Sequence, residues 1–160
     1  MYPITFTFSI FADYHMIFLQ DALSTDIYTD VDWSDEYLAS MYYPIDNGFI
    51  IGTARNMDVP LSLNIHETRP ELDHHAWDHI VECSIGLPSG ILSISGTTDY
   101  IKDFNKINLS PGIYNILICY AGLGTISYDG LDGNDAYTVH AWKGDGHLPG
   151  RVIKKWELPG

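Results

Sequence analysis

The feature that most constrains the fold is a two-residue rhythm of apolar side chains. Ile4, Phe6, Phe8 and Ile10 share one parity, and Thr5, Thr7 and Ser9 share the other. Successive side chains of a strand point to opposite faces, so this pattern predicts a half-buried strand and not an amphipathic helix. Val59, Leu61, Leu63 and Ile65 alternate in the same way with Ser62, Asn64 and His66, and Tyr137, Val139 and Ala141 alternate with Thr138, His140 and Trp142. Further strands are predicted at residues 15–20, 49–54, 77–85, 91–95 and 113–120, and a last one around Val152, Ile153 and Trp156.

Turn chemistry separates these runs. Asn47-Gly48, Pro88-Ser89-Gly90 and Pro111-Gly112 each reverse the chain, and residues 21–32, 67–73 and 129–135 are polar stretches without a period, hence loops. Helical spacing occurs once. Ser34 supplies a cap, Asp35 and Glu36 place carboxylates in a first turn, and Tyr37, Leu38, Met41 and Tyr42 recur at three to four residues, predicting one short helix over 34–43. About eight or nine short strands with a single helix predict a mainly β fold, a β-sandwich of jelly-roll-like kind. With no internal repeat and no low-complexity linker, residues 1–160 read as a single domain.

Charge narrows the partners. Eight Lys and Arg stand against 21 Asp and Glu, a formal net charge of -13. Such a field repels phosphate backbones and anionic headgroups and speeds encounter with basic molecules, so direct nucleic-acid or membrane binding is disfavoured and a basic protein partner is favoured. The N-terminal run lacks a basic region and is broken by Thr and Ser, unlike a signal peptide, and no window approaches the roughly 18 apolar residues of a membrane span. Cys83 and Cys119 each lie in an apolar run, where a free thiol behaves as a small hydrophobe, and the compartment reads as cytoplasmic.

Two clusters carry donor atoms for metals. Asp73-His74-His75-Ala76-Trp77-Asp78-His79 is rich in imidazole and carboxylate. On a strand, however, His75 and His79 share a face with Trp77 but stand roughly 13 Å apart, too far for one ion. Asp129, Asp132 and Asp135 fall in a glycine-bent loop of calcium-like composition, yet the spacing departs from the EF-hand and the twelfth-position Glu is missing. The alternative reading for both is an ordinary loop with hairpin-turn residues. No nucleophile elbow or phosphate loop is present, and no cofactor is called for. A metal-dependent or hydrolytic enzyme stays open as an alternative, because loop-borne catalytic groups need no local motif. So does a structural domain that associates with itself through exposed strand edges.

Aromatic side chains recur beside carboxylates, as in Asp13-Tyr14, Asp32-Trp33, Trp77-Asp78 and Tyr128-Asp129, the composition of anchors within an acidic rim. The segments Asp13-Tyr14-His15, Phe18-Leu19-Gln20-Asp21, Asp32-Trp33-Ser34-Asp35-Glu36, Ala54-Arg55-Asn56, Leu109-Ser110-Pro111-Gly112-Ile113-Tyr114 with Cys119, and Asp135-Ala136-Tyr137 with Val139 follow one another in an order that resembles the competence protein J family. Its namesake is described as an inhibitor of a DNA-entry nuclease. Around Trp77 to Glu82 and Asp129 to Asp135 the chain is more similar to that family's uncharacterised bacterial relatives. The resemblance implies a non-enzymatic, inhibitor-like partner of a nuclease or toxin. Candidate partner-facing residues are Tyr14, His15, Asp21, Trp33, Asp35, Arg55, Asn56, Trp77, His79, Asp129, Asp132 and Asp135, of which Arg55 reads equally as a buried charge paired with an acid, and Asp13 and Asp35 as turn or helix caps.

Overall fold

The alternating positions identified above become the inner faces of two sheets. The computed structural model of the chain describes residues 2–24, 31–99 and 104–157. In chain order the elements are β1 (Ile4–Phe11), β2 (Met16–Asp21), α1 (Asp35–Ser40), β3 (Tyr42–Ile45), β4 (Gly48–Gly52), β5 (Asp58–Ile65), β6 (His79–Leu87), β7 (Ile91–Gly96), β8 (Asn105–Asn108), β9 (Gly112–Ala121), β10 (Ala136–Lys143) and β11 (Arg151–Lys154).

Six strands form one sheet in the order β1-β5-β10-β9-β6-β11, and five form the other as β3-β4-β2-β7-β8. The sheets face each other across a shared core. Val59, Leu61, Leu63, Ile118 and Val139 of the larger sheet and Ile17, Leu19, Phe49, Ile51 and Ile94 of the smaller are fully buried in one cluster. Each such side chain contributes about 1.5–3 kcal/mol on leaving water, which is what holds the layers together. Every neighbouring pair is antiparallel except β5 with β10, which run parallel with Leu63 opposite Val139. Alternation does not encode that pairing, because it reports the face of a residue and not the direction of its neighbour.

The larger sheet is covered on its outer face as well. The chain between β5 and β6 lays Leu72 and Trp77 over Ile80, Leu117, Cys119 and Trp142. Arg69 stacks its guanidinium 5.4 Å from the Trp142 ring centroid and bonds Glu82 at 2.7 Å. Cys83 therefore points into the sandwich and Cys119 into this outer cluster, on opposite faces of the sheet, and both thiols are free.

The helix is shorter than the predicted 34–43. Ser34 Oγ accepts the Tyr37 N–H at 3.3 Å, capping the N-terminus as expected, but Met41 enters the left-handed region (φ 54) and stops the helix after one and a half turns. Tyr42, assigned to the helix by its spacing, instead begins β3. β8 is likewise an addition to the predicted strands. The predicted strand 77–85 starts at His79, preceded by a 3-10 turn over His74–Ala76, so His75 lies on that turn and does not share a sheet face with His79. Asp21 closes β2 where a loop was expected, and residues 25–30 of that predicted loop lie outside the described residues. Among the described residues no helix is long and apolar enough to cross a membrane.

Candidate functional site

Three connections meet at one end of the sandwich: the turn from β1 to β2, the segment from β4 to β5, and the long loop from β9 to β10. Arg55 joins the second to the third, and its neighbours Thr53 and Asn56 join the second to the first. Arg55 Nε donates to Asp135 Oδ1 at 2.5 Å and its Nη1 to the Leu131 carbonyl at 3.2 Å. The Arg55 side chain is 11% exposed and that of Asp135 0%. The other Asp135 oxygen accepts the Tyr137 hydroxyl at 2.7 Å, and that hydroxyl in turn accepts the Ala54 N–H at 2.7 Å. Burial, followed by the bond to Asp135, holds the Tyr137 phenol far above the usual range, so it remains a donor. A buried ion pair of this kind fixes geometry more than it stabilises, since desolvation offsets most of the attraction.

Next to Arg55, Asn56 Oδ1 accepts the Tyr14 N–H at 3.0 Å, and Asp13 Oδ1 lies 3.1 Å from the same donor. His15 Nδ1 bonds the Thr53 carbonyl at 3.0 Å, and the Thr53 N–H returns a bond to the His15 carbonyl. These contacts hold Tyr14 and His15 at φ 58 and 61, two consecutive residues other than glycine in the left-handed region. Each costs on the order of 1–3 kcal/mol and persists only where the surroundings over-determine it. The result is that Tyr14 stands out from the surface, 66% exposed.

The β9–β10 loop is held by its own side chains. Asp129 accepts from Ser127 Oγ at 2.6 Å and from the Leu131 N–H at 3.1 Å, Ser127 Oγ accepts the Asp132 N–H at 2.9 Å, and Thr125 Oγ1 accepts the Asn134 N–H at 2.7 Å. The Ser127 hydroxyl and then the Leu131 amide lower the pKa of Asp129 below the ordinary carboxylate value. Gly130, at φ 77, closes the turn. This tight loop displays Tyr128, which is completely exposed, and Leu131, 51% exposed.

The structure thus gathers Tyr14, His15, Arg55, Asn56, Asp129, Asp132 and Asp135 at one end and disperses the other candidates. Trp33 packs on Tyr43 at 5.5 Å and Asp35 opens α1. Trp77 covers the outer cluster. Three candidates need correction as partner-facing residues, because they are buried. Asp21, at the opposite end, accepts from Leu23 N–H, Ser89 N–H and Ser89 Oγ. His79 bonds the Ser40 carbonyl through Nε2 at 2.6 Å and accepts the Trp156 N–H at Nδ1 at 2.9 Å. Asp135 belongs to Arg55. As metal candidates these residues do not converge: His75 is exposed on its turn, both nitrogens of His79 are engaged, and Asp129 Oδ1 accepts two bonds within its own loop. Among the described residues no three His, Cys, Asp or Glu side chains come together to hold an ion. Tyr128 entered the sequence reading only as an aromatic beside an acid, Tyr137 only as a strand position and part of the resembling segment, and Leu131 and Thr53 carried no signal of their own.

A lateral cleft of about 810 Å³ opens between α1 with β3 on one side and β6 with β11 on the other. Its floor is Tyr42, Val81 and Ile85, and its rim carries Glu36, Arg151 and Lys155. Both cysteines are buried and neither lines it. Burial raises the pKa of Cys83 far beyond the usual thiol range and pushes that of Cys119 up to about 12.

Fold and site together define a two-sheet β-sandwich with a hydrogen-bonded, aromatic-bearing loop end. No family model matches the chain, and no curated protein matches it by sequence. Among solved structures it is similar to ComJ, inhibitor of the DNA degrading activity of NucA, from Bacillus subtilis, with a TM-score of 0.70 and 15% identity over 89% of this chain and 99% of that one. It is also similar to a protein described as crocagin biosynthetic gene J, with a TM-score of 0.58 and 17% identity over the same shares. At these identities the likeness is one of fold.

Proposed function

We propose that this protein works by binding a basic protein partner, of nuclease or toxin kind, through the loop end that carries Tyr14, Tyr128 and Leu131. The observation that carries this reading is the pair of exposed tyrosines on loops held in place, that of Tyr14 by Asn56 and Thr53 and that of Tyr128 by its own side chains and the Arg55 to Asp135 pair. Tyrosine anchors offer large contact area at low conformational cost, and a rigid support removes the entropy a flexible loop would lose on docking. Asp129 and Asp132 form an acidic rim beside them, within a chain of net charge -13. Carboxylates so placed can stand where a nuclease expects phosphates. Similarity of fold to a nuclease inhibitor supports the choice of partner class.

We further propose a reducing, cytoplasmic setting, which the two free and buried cysteines support.

The test is a native lysate passed over the immobilised chain at low and moderate salt, with captured proteins identified and assayed for DNA degradation. A specifically retained basic protein whose activity the chain suppresses is the expected result. Recovery of the same non-specific proteins by this chain and by an unrelated acidic protein would overturn the reading.

A further inference from the structure

Natural sheets protect their edges, and among the described residues these two protect three of four. β3 is four residues long and carries Pro44, β8 is four residues long and carries Lys106, and β11 is four residues long, charged at Arg151 and Lys154, and broken by a register shift. Short length, lysine, proline and bulges are the usual devices against edge-to-edge pairing. β1 has none of them. It runs eight residues, Ile-Thr-Phe-Thr-Phe-Ser-Ile-Phe, without a charge or a proline, and among the described residues pairs on one side only, with β5 along its whole length.

The direction of its free backbone groups follows from two contacts. The Ala12 N–H donates to the Met57 carbonyl, continuing the register in which Phe11 faces Asp58. Along an antiparallel strand alternate residues turn N–H and C=O toward the partner. Ile4, Phe6, Phe8 and Ile10 therefore bond β5, while Thr5, Thr7, Ser9 and Phe11 turn theirs outward. The Phe11 carbonyl agrees: it lies against Gly96 at the end of β7, where any side chain would collide with it. That contact closes the last position, and Thr5, Thr7 and Ser9, all exposed, remain open.

We infer that the occupant of this edge is a second copy of the same chain, paired antiparallel about a two-fold axis through Thr7. With partner positions summing to 14, Thr7 meets Thr7, Thr5 meets Ser9, Phe6 meets Phe8 and Ile4 meets Ile10 of the second copy. Hydroxyl faces hydroxyl and apolar faces apolar at every position, and the outward N–H and C=O of Thr5, Thr7 and Ser9 find complementary groups. Self-complementarity of this sort is what an isologous dimer requires. The lack of charge matters equally, because two chains of net charge -13 repel everywhere else. The two larger sheets then continue into one another, and the loop ends beyond Phe11 point to opposite poles, so the dimer presents two docking ends that cannot compete for one partner.

A single strand pair buries little, so the dimer is weak, and sedimentation equilibrium from about 10 μM to about 1 mM spans the range in which such small interfaces associate. The expected result is a monomer-dimer equilibrium that tightens with added salt as repulsion is screened. Thr7→Pro removes an edge donor that β5 does not use, and Thr7→Lys places like charges at the axis; each weakens the dimer at least tenfold. Amide exchange at Thr5 and Ser9 slows with protein concentration in the unmodified chain and much less in either variant. A chain monomeric to about 1 mM at moderate salt, or a dimer indifferent to both substitutions, overturns the inference.

Discussion

Arg55 reaches across 80 positions of sequence to hold Asp135, and in doing so ties the segment before β5 to the loop before β10. Contacts of the loop end gather around that pair: the Leu131 carbonyl is bonded by the same guanidinium, Tyr137 by the same carboxylate, and Tyr14 by the neighbouring Asn56.

Removing one partner of a buried pair strands the other. Asp135→Ala leaves the Arg55 charge without its acceptor at 11% exposure and is expected to destabilise the fold by about 3 kcal/mol, a fall of about 10 °C in melting temperature for a chain of this size. Arg55→Met should cost a similar amount. The double substitution, which leaves no unpaired charge, should cost clearly less than the sum of the two, measured by thermal unfolding of all four proteins.

At Tyr14 stability and function are expected to part. Glycine adopts φ 58 without strain, so Tyr14→Gly should leave the melting temperature unchanged or raise stability by about 1 kcal/mol. The same substitution removes an exposed aromatic anchor and should weaken partner binding at least tenfold. A destabilised protein with intact binding would assign Tyr14 to packing instead.

Acid should loosen the larger sheet through His140. Burial first, and the neighbouring His66 second, lower its pKa from 6.5 to about 4, and its Nδ1 lies 2.8 Å from His66 Nε2. Burial lowers that of His66 as well. A folded pKa below the unfolded value means that the unfolded chain takes up the proton first, so the contribution is complete above pH 6.5 and is lost as pH falls toward 4. The melting temperature should therefore drop over this window, and His140→Gln should flatten the drop. Equal slopes in the two proteins would remove His140 from the account.

Much of the fold was legible because burial imposes parity. β1, β5 and β10 show their inward residues at every second position, and the apolar run of β9 marks a strand covered on both faces by the core and by Trp77. β3 was hidden because Tyr37, Leu38, Met41 and Tyr42 keep helical spacing through the point where Met41 turns left-handed, a break that side-chain periodicity does not register. β8 offers only Ile107 to the core, too little for a pattern. In the site, Tyr14 and the acids of the 129–135 loop stood out by composition. Their convergence on Arg55 did not, since it is set by the parallel pairing of β5 and β10, which brings distant loops to one end. Asp21 and His79 drew notice as polar residues and proved to be interior braces.

The central claim, that the loop end docks a basic protein, is tested most directly by titrating the chain against its captured partner at two salt concentrations, comparing the unmodified protein with Tyr14→Ala combined with Tyr128→Ala. The account predicts an unchanged melting temperature, a loss of affinity of at least 100-fold, about 2.7 kcal/mol, and an association rate that falls with salt in both proteins. Undiminished affinity in the correctly folded double variant would contradict it.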